Sequence, residues 1–382
     1  MNETLRPTAL LVLAFIAAAN LLLPHAEARR PGEFKACEER RYREPLPPSD
    51  RLPVVIALYG DSQTGRCLME IDPKTGAMHR LAKGEANRPL RSPDENAIAF
   101  TRGAYEDRLW VMDAHGSNKR LLYQAPPNTP IQRFSWSPDS QQLVMDRNAG
   151  NFGSELWVVN ADGSGERQVP HPATNPNSGR ACPGWSPDGS EFVYSRVVDE
   201  DFNDSRDLFA SSTEGTNERV IVGGTEEDVS PLWSPAGDEI LFSRRYVSSE
   251  PNENLINDLF VVDSAGGEPR NITNSPDLIK QYFTWSPNGE KIAYVAYERP
   301  WGPGTPAQLW IMNADGTGAK LLYKHGQHAE PSWSQDSSRL VFADLDVFMV
   351  RADGSHLHVV KDLTRAGASV ANWASPMSCN GV

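Results

Sequence analysis

A Trp-Ser-Pro turn motif recurs through most of this chain at nearly constant spacing. Four copies are complete, and they are Trp136–Asp139, Trp185–Gly189, Trp233–Gly237 and Trp285–Gly289. Two weaker copies, Arg91–Asp94 and Trp333–Asp336, precede and follow them. The intervals between first positions are 45, 49, 48, 52 and 48 residues. A repeat of this length is typical of propeller blades and related arrays.

Each interval has the same internal order of strand and turn signals. A short alternating run such as Phe192–Ser195 follows the Ser-Pro turn, and a second run such as Leu208–Ala210 comes next. A second turn then ends in a glycine, which tolerates the positive φ of a hairpin. The glycines in this place are Gly116, Gly163, Gly215, Gly266, Gly316 and Gly354. Four short strands per unit predict a four-stranded antiparallel blade, which must stack on neighbouring blades to bury both faces.

The two ends of the repeat region predict how the ring closes. Val54–Leu58, Cys67–Ile71 and Ala77–Leu81 supply three strands that lack an innermost partner, and Val370–Pro376 reads as an innermost strand without a blade. Joining them gives an all-β, seven-bladed propeller whose first blade is closed by N- and C-terminal strands, with no open sheet edge. One extra residue separates Trp373 from the following Ser-Pro pair, so a six-bladed ring is the alternative.

The repeated WSPDG turn, alternating run and NADG turn resemble the WD40-like Pro-Asp repeat of TolB-like propellers, over roughly residues 53–376. The resemblance implies the fold. It leaves the function open, because such repeats occur in envelope proteins, in peptidase propellers and in polysaccharide-lyase-like enzymes. A separate domain precedes the propeller in TolB, whereas residues 29–52 are the only extension expected here, so a Tol–Pal role does not transfer intact. The GxSxG elbow of a serine hydrolase is absent from the sequence.

The first 28 residues have the layout of a secretory signal peptide. Arg6 precedes an apolar run from Ala9 to Leu23, and the stretch ends in Ala26-Glu27-Ala28. An uncleaved anchor is the alternative. We expect a signal peptide at 1–28, an extension at 29–52 and the propeller at 53–382, in a periplasmic or secreted protein. After cleavage the net charge is −12, which argues against nucleic acid as a partner. A monomer is expected.

The four cysteines, Cys37, Cys67, Cys182 and Cys379, are widely spaced and form no CxxC pair. In an oxidising compartment an even count favours one or two disulfides over a zinc site. A Cys67–Cys379 bridge would pin the closing blade, and Cys37–Cys379 is the alternative. Cys182, on an innermost strand, is expected to be a buried free thiol.

Candidate binding residues lie in the variable loops between the second and third strands of a blade and between successive blades, because function on a rigid scaffold is concentrated in such loops. Clustered carboxylates could bind calcium or form a solvated acidic rim. Trp301, on a Pro/Gly-rich loop, suits a protein or sugar contact or packs back onto the ring. The histidine-rich loop could bind a metal or transfer protons, or be merely polar. The candidates are Asp199, Glu200, Asp201, Glu226, Glu227, Asp228, Trp301, His325, His328 and Glu330.

The remaining repeated tryptophans are expected to pack between blades, and they are Trp136, Trp185, Trp233, Trp285, Trp333 and Trp373. No catalytic residue and no cofactor is predicted, although the clustered carboxylates could bind calcium. These features favour a non-catalytic binding scaffold for a protein or peptide. A metal-dependent lyase- or hydrolase-like propeller acting on polysaccharide is the alternative, and a purely structural surface protein is a third.

Overall fold

The computed structural model describes residues 54–59, 66–361 and 369–373, apart from residues 74, 85, 104, 128, 149–153, 171–178, 199–204, 247–255, 300–304, 325–330 and 345. The regular structure of this part of the chain consists of strands β1 to β28. They form seven four-stranded antiparallel sheets, six from consecutive strands and one shared between the two ends of the repeat region. The expected all-β propeller of four-stranded antiparallel blades is confirmed.

Blade 1 is the shared sheet, with strand order β28-β1-β2-β3. Its strands are β1 (Val54–Tyr59), β2 (Arg66–Ile71), β3 (Met78–Ala82) and β28 (Ser369–Trp373). The innermost strand β28 pairs antiparallel with β1, so that Trp373 lies opposite Ile56 and Ser369 opposite Tyr59. The N- and C-terminal strands therefore close one blade together, as the sequence predicts.

Blades 2 to 7 follow in chain order, each running from the innermost to the outermost strand. Blade 2 contains β4 (Ala86–Arg91), β5 (Ala97–Arg102), β6 (Arg108–Asp113) and β7 (Arg120–Gln124). Blade 3 contains β8 (Ile131–Trp136), β9 (Gln142–Asn148), β10 (Ser154–Asn160) and β11 (Arg167–Gln168). Blade 4 contains β12 (Arg180–Trp185), β13 (Glu191–Val197), β14 (Arg206–Ser212) and β15 (Arg219–Val222).

The last three blades have the same order. Blade 5 contains β16 (Glu227–Trp233), β17 (Glu239–Tyr246), β18 (Ile256–Asp263) and β19 (Arg270–Asn271). Blade 6 contains β20 (Leu278–Trp285), β21 (Lys291–Glu298), β22 (Ala307–Asn313) and β23 (Lys320–Lys324). Blade 7 contains β24 (Ser332–Trp333), β25 (Arg339–Ala343), β26 (Val347–Arg351) and β27 (His358–Lys361).

The Ser-Pro turns are closed by hydrogen bonds of their own serine and acidic side chains. In blade 4 the Ser186 hydroxyl donates to Asp188 Oδ1 at 2.6 Å and accepts the N–H of Glu191 at 3.0 Å. Blade 7 repeats this with Ser334 and Asp336 at 2.6 Å, and blade 6 with Ser286 and Asn288 at 2.7 Å. The serine hydrogen bond lowers the pKa of Asp188, and a similar one lowers the pKa of Asp336 to about 2. The motif residues thus fix the reversal into the second strand.

The tryptophans at the ends of the innermost strands reach the preceding blade. Trp136 Nε1 donates to the carbonyl of Leu90 at 3.1 Å, and Trp185 Nε1 donates to the carbonyl of Ser135 at 3.2 Å. Hydrophobic clusters of buried residues lie between neighbouring blades from the 1–2 interface to the 6–7 interface. Because burial of apolar surface is the main favourable term in folding, these interfaces hold the ring together.

Glycines in the turns between third and fourth strands make the closest backbone contacts from blade to blade. A Cβ atom added at Gly316 of blade 6 would lie 2.6 Å from the carbonyl oxygen of Ile272 in blade 5. The same contact recurs at Gly76 of blade 1, where the added atom would lie 2.7 Å from the carbonyl oxygen of Val360 in blade 7. Both glycines have positive φ. The Gly76–Val360 contact joins the last blade to the first and closes the ring.

A buried ion pair links blades 5 and 6. Lys280 Nζ lies 2.7 Å from Asp258 Oδ1, and the lysine side chain is fully buried. Burial raises the pKa of Asp258, but the Lys280 ammonium and hydrogen bonds from Asn271 and Thr273 outweigh it, so the pKa is lowered. Asn257 adds hydrogen bonds to both the N–H and the carbonyl of Lys280, at 2.8 and 2.6 Å. The interface is thus fixed by polar as well as apolar contacts.

Among the described residues, no helix has the length and hydropathy needed to cross a membrane.

Candidate functional site

The two faces of the ring differ in character. One face carries the repeated Ser-Pro turns and the glycine turns, and we refer to it as the turn face. The opposite face, the loop face, carries the ends of the second strands and the starts of the innermost and third strands. Glu226, Glu227 and Asp228 lie on the loop face, at the start of β16 in blade 5.

Strand register places two arginines directly opposite the predicted carboxylates. Glu227 pairs with Arg245 and Asp228 with Arg244 in the β16–β17 ladder. Asp228 is 1% exposed, and its two oxygens accept from Arg244 Nε and Nη2 at 2.8 and 2.9 Å. Glu227 Oε1 lies 3.3 Å from Arg245 Nη1, and this pair is about one fifth exposed. The sequence did not reveal these partners, because they follow from the register of two strands.

Asp207 lies next to this group, at the start of β14 in blade 4. The residue as a whole is 9% exposed. Within the described residues its one hydrogen bond comes from the N–H of Gly224, at 3.2 Å. Burial raises the pKa of Asp207, and the negative charge of Asp228 raises it further. Neighbouring buried groups with perturbed pKa values are candidates for a functional site.

We define the blade 4–5 cluster as Asp207, Glu226, Glu227, Asp228, Arg244 and Arg245. It contains four carboxylates and two guanidinium groups, so acidic charge is in excess. Burial raises the pKa of Asp228 despite the bidentate arginine. The side chain of Arg196 on β13 pairs with Glu218 and stacks over the Phe209 ring, 3.6 Å from its centroid. It therefore does not neutralise Asp207 through a direct ion pair.

The cluster does not fit a calcium ion. Calcium takes six to eight oxygen ligands, whereas both oxygens of Asp228 already accept from Arg244. No group of three or more metal-ligating side chains close enough to hold an ion occurs in the part of the chain that the structure describes. We therefore derive no chemistry through a metal at these residues.

The other predicted binding residues lie outside the described residues, and they are Asp199, Glu200, Asp201, Trp301, His325, His328 and Glu330. The segment 199–204 connects β13 to β14, so it borders the blade 4–5 cluster in sequence. Of the repeated tryptophans, Trp136, Trp185 and Trp285 are buried, while Trp233 and Trp333 are half-buried.

A cavity of about 210 Å³ lies between the innermost strands of blades 2 to 5. Its walls are largely apolar, with Leu90, Phe134, Trp136, Pro183 and Leu232 among them, and they also include Arg91, Arg133 and Cys182. Arg91 is paired with Glu70 at 3.2 Å.

A buried carboxylate holds the strand backbone next to this cavity. Asp146 on β9 is 1% exposed, and its Oδ2 accepts the N–H of Cys182 in the next blade at 2.9 Å. Its Oδ1 accepts the N–H of Arg133. Burial raises the pKa of Asp146. Blades 2, 4 and 5 have Thr101, Ser195 and Ser243 in this register and blade 6 has Val295, so an aligned comparison of repeats could have singled out the aspartate.

The two cysteines of the described residues are Cys67, fully buried on β2, and Cys182, half-buried on β12. Neither is a free thiol. The expectation of a free thiol at Cys182 is therefore wrong. The predicted Cys67–Cys379 bridge involves a residue outside the described range and stays a prediction.

Sequence comparison relates the chain to bacterial proteins over part of its length. No family model matches it. It is 25% identical over 214 residues to the uncharacterized peptidase YuxL of Bacillus subtilis, covering 54% of this chain and 28% of that protein. It is 28% identical over 128 residues to the Tol-Pal system protein TolB of Anaeromyxobacter dehalogenans, covering 33% and 26%. The chain thus spans about a quarter of the length of these relatives.

Solved structures share the fold at low sequence identity. A TolB-type protein from Agrobacterium tumefaciens superimposes with a TM-score of 0.51 at 18% identity, covering 72% of this chain and 90% of that one. An oligogalacturonate lyase in complex with manganese gives 0.57 at 15% identity, covering 81% and 84%. Puromycin hydrolase gives 0.59 at 16% identity, covering 86% and 53%. The protein has a TolB-like β-propeller fold.

Proposed function

We propose that the protein is an exported binding scaffold that holds a protein or peptide ligand on its loop face, at the blade 4–5 cluster. The observation that carries the proposal is the Asp207 carboxylate. Asp207 is 9% exposed, and within the described residues its carboxylate is bonded to one backbone N–H. It lies beside a second carboxylate, Asp228, which is already paired with Arg244. A buried carboxylate without a cationic partner is costly, so it favours a ligand that supplies one.

A lysine or arginine side chain is the ligand group that fits this place. It needs one or two acceptor oxygens, which Asp207 and the half-buried Glu226 offer, whereas calcium needs many more. The ion pair would form with a residue that is only 9% exposed, and a partly desolvated, hydrogen-bonded charge pair contributes more than one at an open surface. The ligand is therefore a protein or peptide that presents a basic residue.

Export and compartment are part of the same proposal. The signal-peptide layout of residues 1–28 and the acidic net charge support a periplasmic or secreted scaffold. N-terminal sequencing of the mature protein is expected to begin at Arg29. An intact Met1 in the envelope fraction would contradict cleavage.

The test uses a photo-crosslinking amino acid at Val198, which is 37% exposed at the end of β13 on the loop face. We expect one protein to be crosslinked in the producing cell, and we expect Asp207→Asn to abolish that product. The matched control is Asp162→Asn, which replaces an exposed carboxylate on the turn face, keeps the turn intact and should leave the product unchanged. Equal crosslinking by the Asp207→Asn protein would contradict the proposal.

The likeness to the manganese-bound oligogalacturonate lyase motivates the enzyme alternative. An acidic substrate is disfavoured at the blade 4–5 cluster by like charge. The assay is formation of unsaturated product from oligogalacturonate with added Mn²⁺. Turnover that is lost in His325→Ala or His328→Ala would establish the alternative. No turnover by the wild-type protein, together with the Val198 crosslink, supports the scaffold.

A further inference from the structure

Asp207 offers a ligand one carboxylate oxygen rather than two. Its Oδ1 accepts the N–H of Gly224 at 3.2 Å, and this is its one hydrogen bond within the described residues. The other oxygen, Oδ2, is the acceptor open to a ligand. A guanidinium pairs with a carboxylate most strongly through two parallel N–H···O bonds that use both oxygens, whereas an ammonium is a compact point charge that needs only one. The geometry of Asp207 therefore favours an ammonium.

The neighbouring carboxylates do not supply a second place for a guanidinium. Both oxygens of Asp228 accept from Arg244, and the two oxygens of Glu227 lie 3.3 and 3.5 Å from Arg245 Nη1. Glu226, which is half-buried, is the remaining carboxylate of the cluster. The three donors of an ammonium point in different directions from one nitrogen, so one group can donate to oxygens of two residues. A lysine can therefore use the oxygens that remain without displacing either arginine.

The aromatic rings beside the cluster already carry guanidinium groups. Arg196 lies over Phe209, 3.6 Å from the ring centroid. Arg244 lies over Phe260 at 5.0 Å and over Phe242 at 5.7 Å. Stacking on an aromatic face is the second way in which arginine gains more than lysine at a binding site. Because these three rings already hold arginines, an incoming arginine would lose that advantage as well.

Two consecutive glycines leave the approach to Asp207 open. Gly223 and Gly224 are both exposed, in the connection between β15 and β16. A Cβ atom added at Gly223 would lie 3.2 Å from Asp207 Oδ2. A single methyl group there would therefore crowd the oxygen that the ligand needs. An oxygen next to an exposed glycine can be reached by the slender four-carbon stem of a lysine.

We propose that the blade 4–5 cluster selects a lysine side chain of the ligand, whose ammonium donates to Asp207 Oδ2. This inference rests on the proposed function, since it narrows the basic residue of the ligand from lysine or arginine to lysine. The α-ammonium of a chain terminus lacks this reach, because the peptide chain and the first side chain branch from the carbon beside its nitrogen. The ligand is therefore a protein or peptide that presents an exposed lysine to the loop face.

Binding of two small probes tests the selection. The probes are Nα-acetyl-lysine methylamide and Nα-acetyl-arginine methylamide. The readout is the NMR shift of the Gly224 amide in the full mature protein, since this N–H donates to Asp207. We expect the lysine probe to bind about tenfold more tightly, a difference of about one charge-assisted hydrogen bond. Asp207→Asn should abolish the shift, and the control Asp162→Asn should leave it unchanged.

The outcomes for this inference differ from those for the proposed function. Equal affinities, or tighter binding of the arginine probe, with both shifts lost in Asp207→Asn, would overturn the selection of lysine and leave the site for a basic ligand in place. A shift that persists in Asp207→Asn, or no shift with either probe, would contradict the site itself and the inference with it.

Gly223→Ala tests the approach to Asp207 Oδ2. The added methyl group would crowd this oxygen, and we expect the lysine probe to bind several-fold more weakly. Gly184→Ala is the matched control, because its added methyl group would make only ordinary contacts, at 3.6 Å or more. Equal affinity of the two variants for the lysine probe would contradict an ammonium bound at Oδ2 beside Gly223.

Discussion

The Arg244 guanidinium donates through Nε and Nη2 to both carboxylate oxygens of Asp228, at 2.8 and 2.9 Å. The pair links neighbouring strands of blade 5, and Asp228 is almost completely buried. Its neighbour Asp207 has no such guanidinium partner within the described residues. This difference between two adjacent carboxylates separates a structural ion pair from a candidate binding group.

Removing the Arg244 guanidinium should destabilise the protein strongly. Arg244→Met leaves Asp228 buried and unpaired, and we expect a loss of about 3–5 kcal/mol in the free energy of unfolding. Arg245→Met is the matched control, because its partly exposed pair with Glu227 is expected to contribute about 0–1 kcal/mol. Urea unfolding measures both. The double variant Arg244→Met/Asp228→Leu should recover most of the loss. A loss equal to the sum of the losses in the two single variants would contradict a structural ion pair between these residues.

Asp207→Asn should abolish ligand binding without lowering the stability of the fold. In the folded protein the pKa of Asp207 is raised, so the folded state binds its proton more tightly than the unfolded state does. The ionised group therefore opposes folding at neutral pH; this penalty shrinks as the pH falls below the folded pKa and is gone below the unfolded pKa. We expect Asp207→Asn to have an equal or higher urea midpoint at pH 7 while ligand crosslinking is lost. A lower midpoint would assign Asp207 a structural role.

Closure of the ring depends on Gly76. Its φ of 66° is unfavourable for other residues, and a Cβ atom there would meet the Val360 carbonyl oxygen at 2.7 Å. We expect Gly76→Ala to lower the free energy of unfolding by about 1–3 kcal/mol. Gly224→Ala is the control, since no atom lies within 4 Å of the added methyl group. Similar thermal midpoints for the two variants would argue against a tight contact between blades 7 and 1.

Acid should weaken the Ser-Pro turns through their aspartates. The hydrogen bond from Ser334 lowers the pKa of Asp336 from 3.8 to about 2. Its stabilising effect is therefore complete above the unfolded pKa and is lost as the pH falls from about 4 towards 2. Asp336→Asn keeps the acceptor oxygen, as Asn288 does in blade 6, but cannot titrate. The difference in urea midpoint between wild type and variant should shrink over this range. Parallel pH profiles of the two proteins would contradict a stabilising role for ionised Asp336.

The repeat allowed the fold to be predicted from the sequence. Regular spacing of the Trp-Ser-Pro turns and the orphan strand at Val370–Pro376 were enough to predict four-stranded blades and the shared blade 1. The residues of the Ser-Pro turn act locally, within five positions of one another, so their pattern is visible along the chain.

The candidate site was predicted only in part. Glu226, Glu227 and Asp228 were singled out by their charge, but Arg244 and Arg245 become their partners through strand register. Asp207 and the Lys280–Asp258 pair were missed, because single charged residues at the starts of strands resemble ordinary solvated positions. The groups that surround these residues belong partly to the neighbouring blade, and a local sequence pattern cannot show which distant residues will lie there.

Crosslinking from Val198 tests the proposed scaffold function most directly. The same photo-reactive residue at Leu121, which is 43% exposed on the outermost strand β7 of blade 2, controls for nonspecific capture. We predict one protein product from position 198, absent from position 121, absent in Asp207→Asn and weakened by added salt. A product that forms equally from both positions, or that persists in Asp207→Asn, would contradict ligand binding at the blade 4–5 cluster.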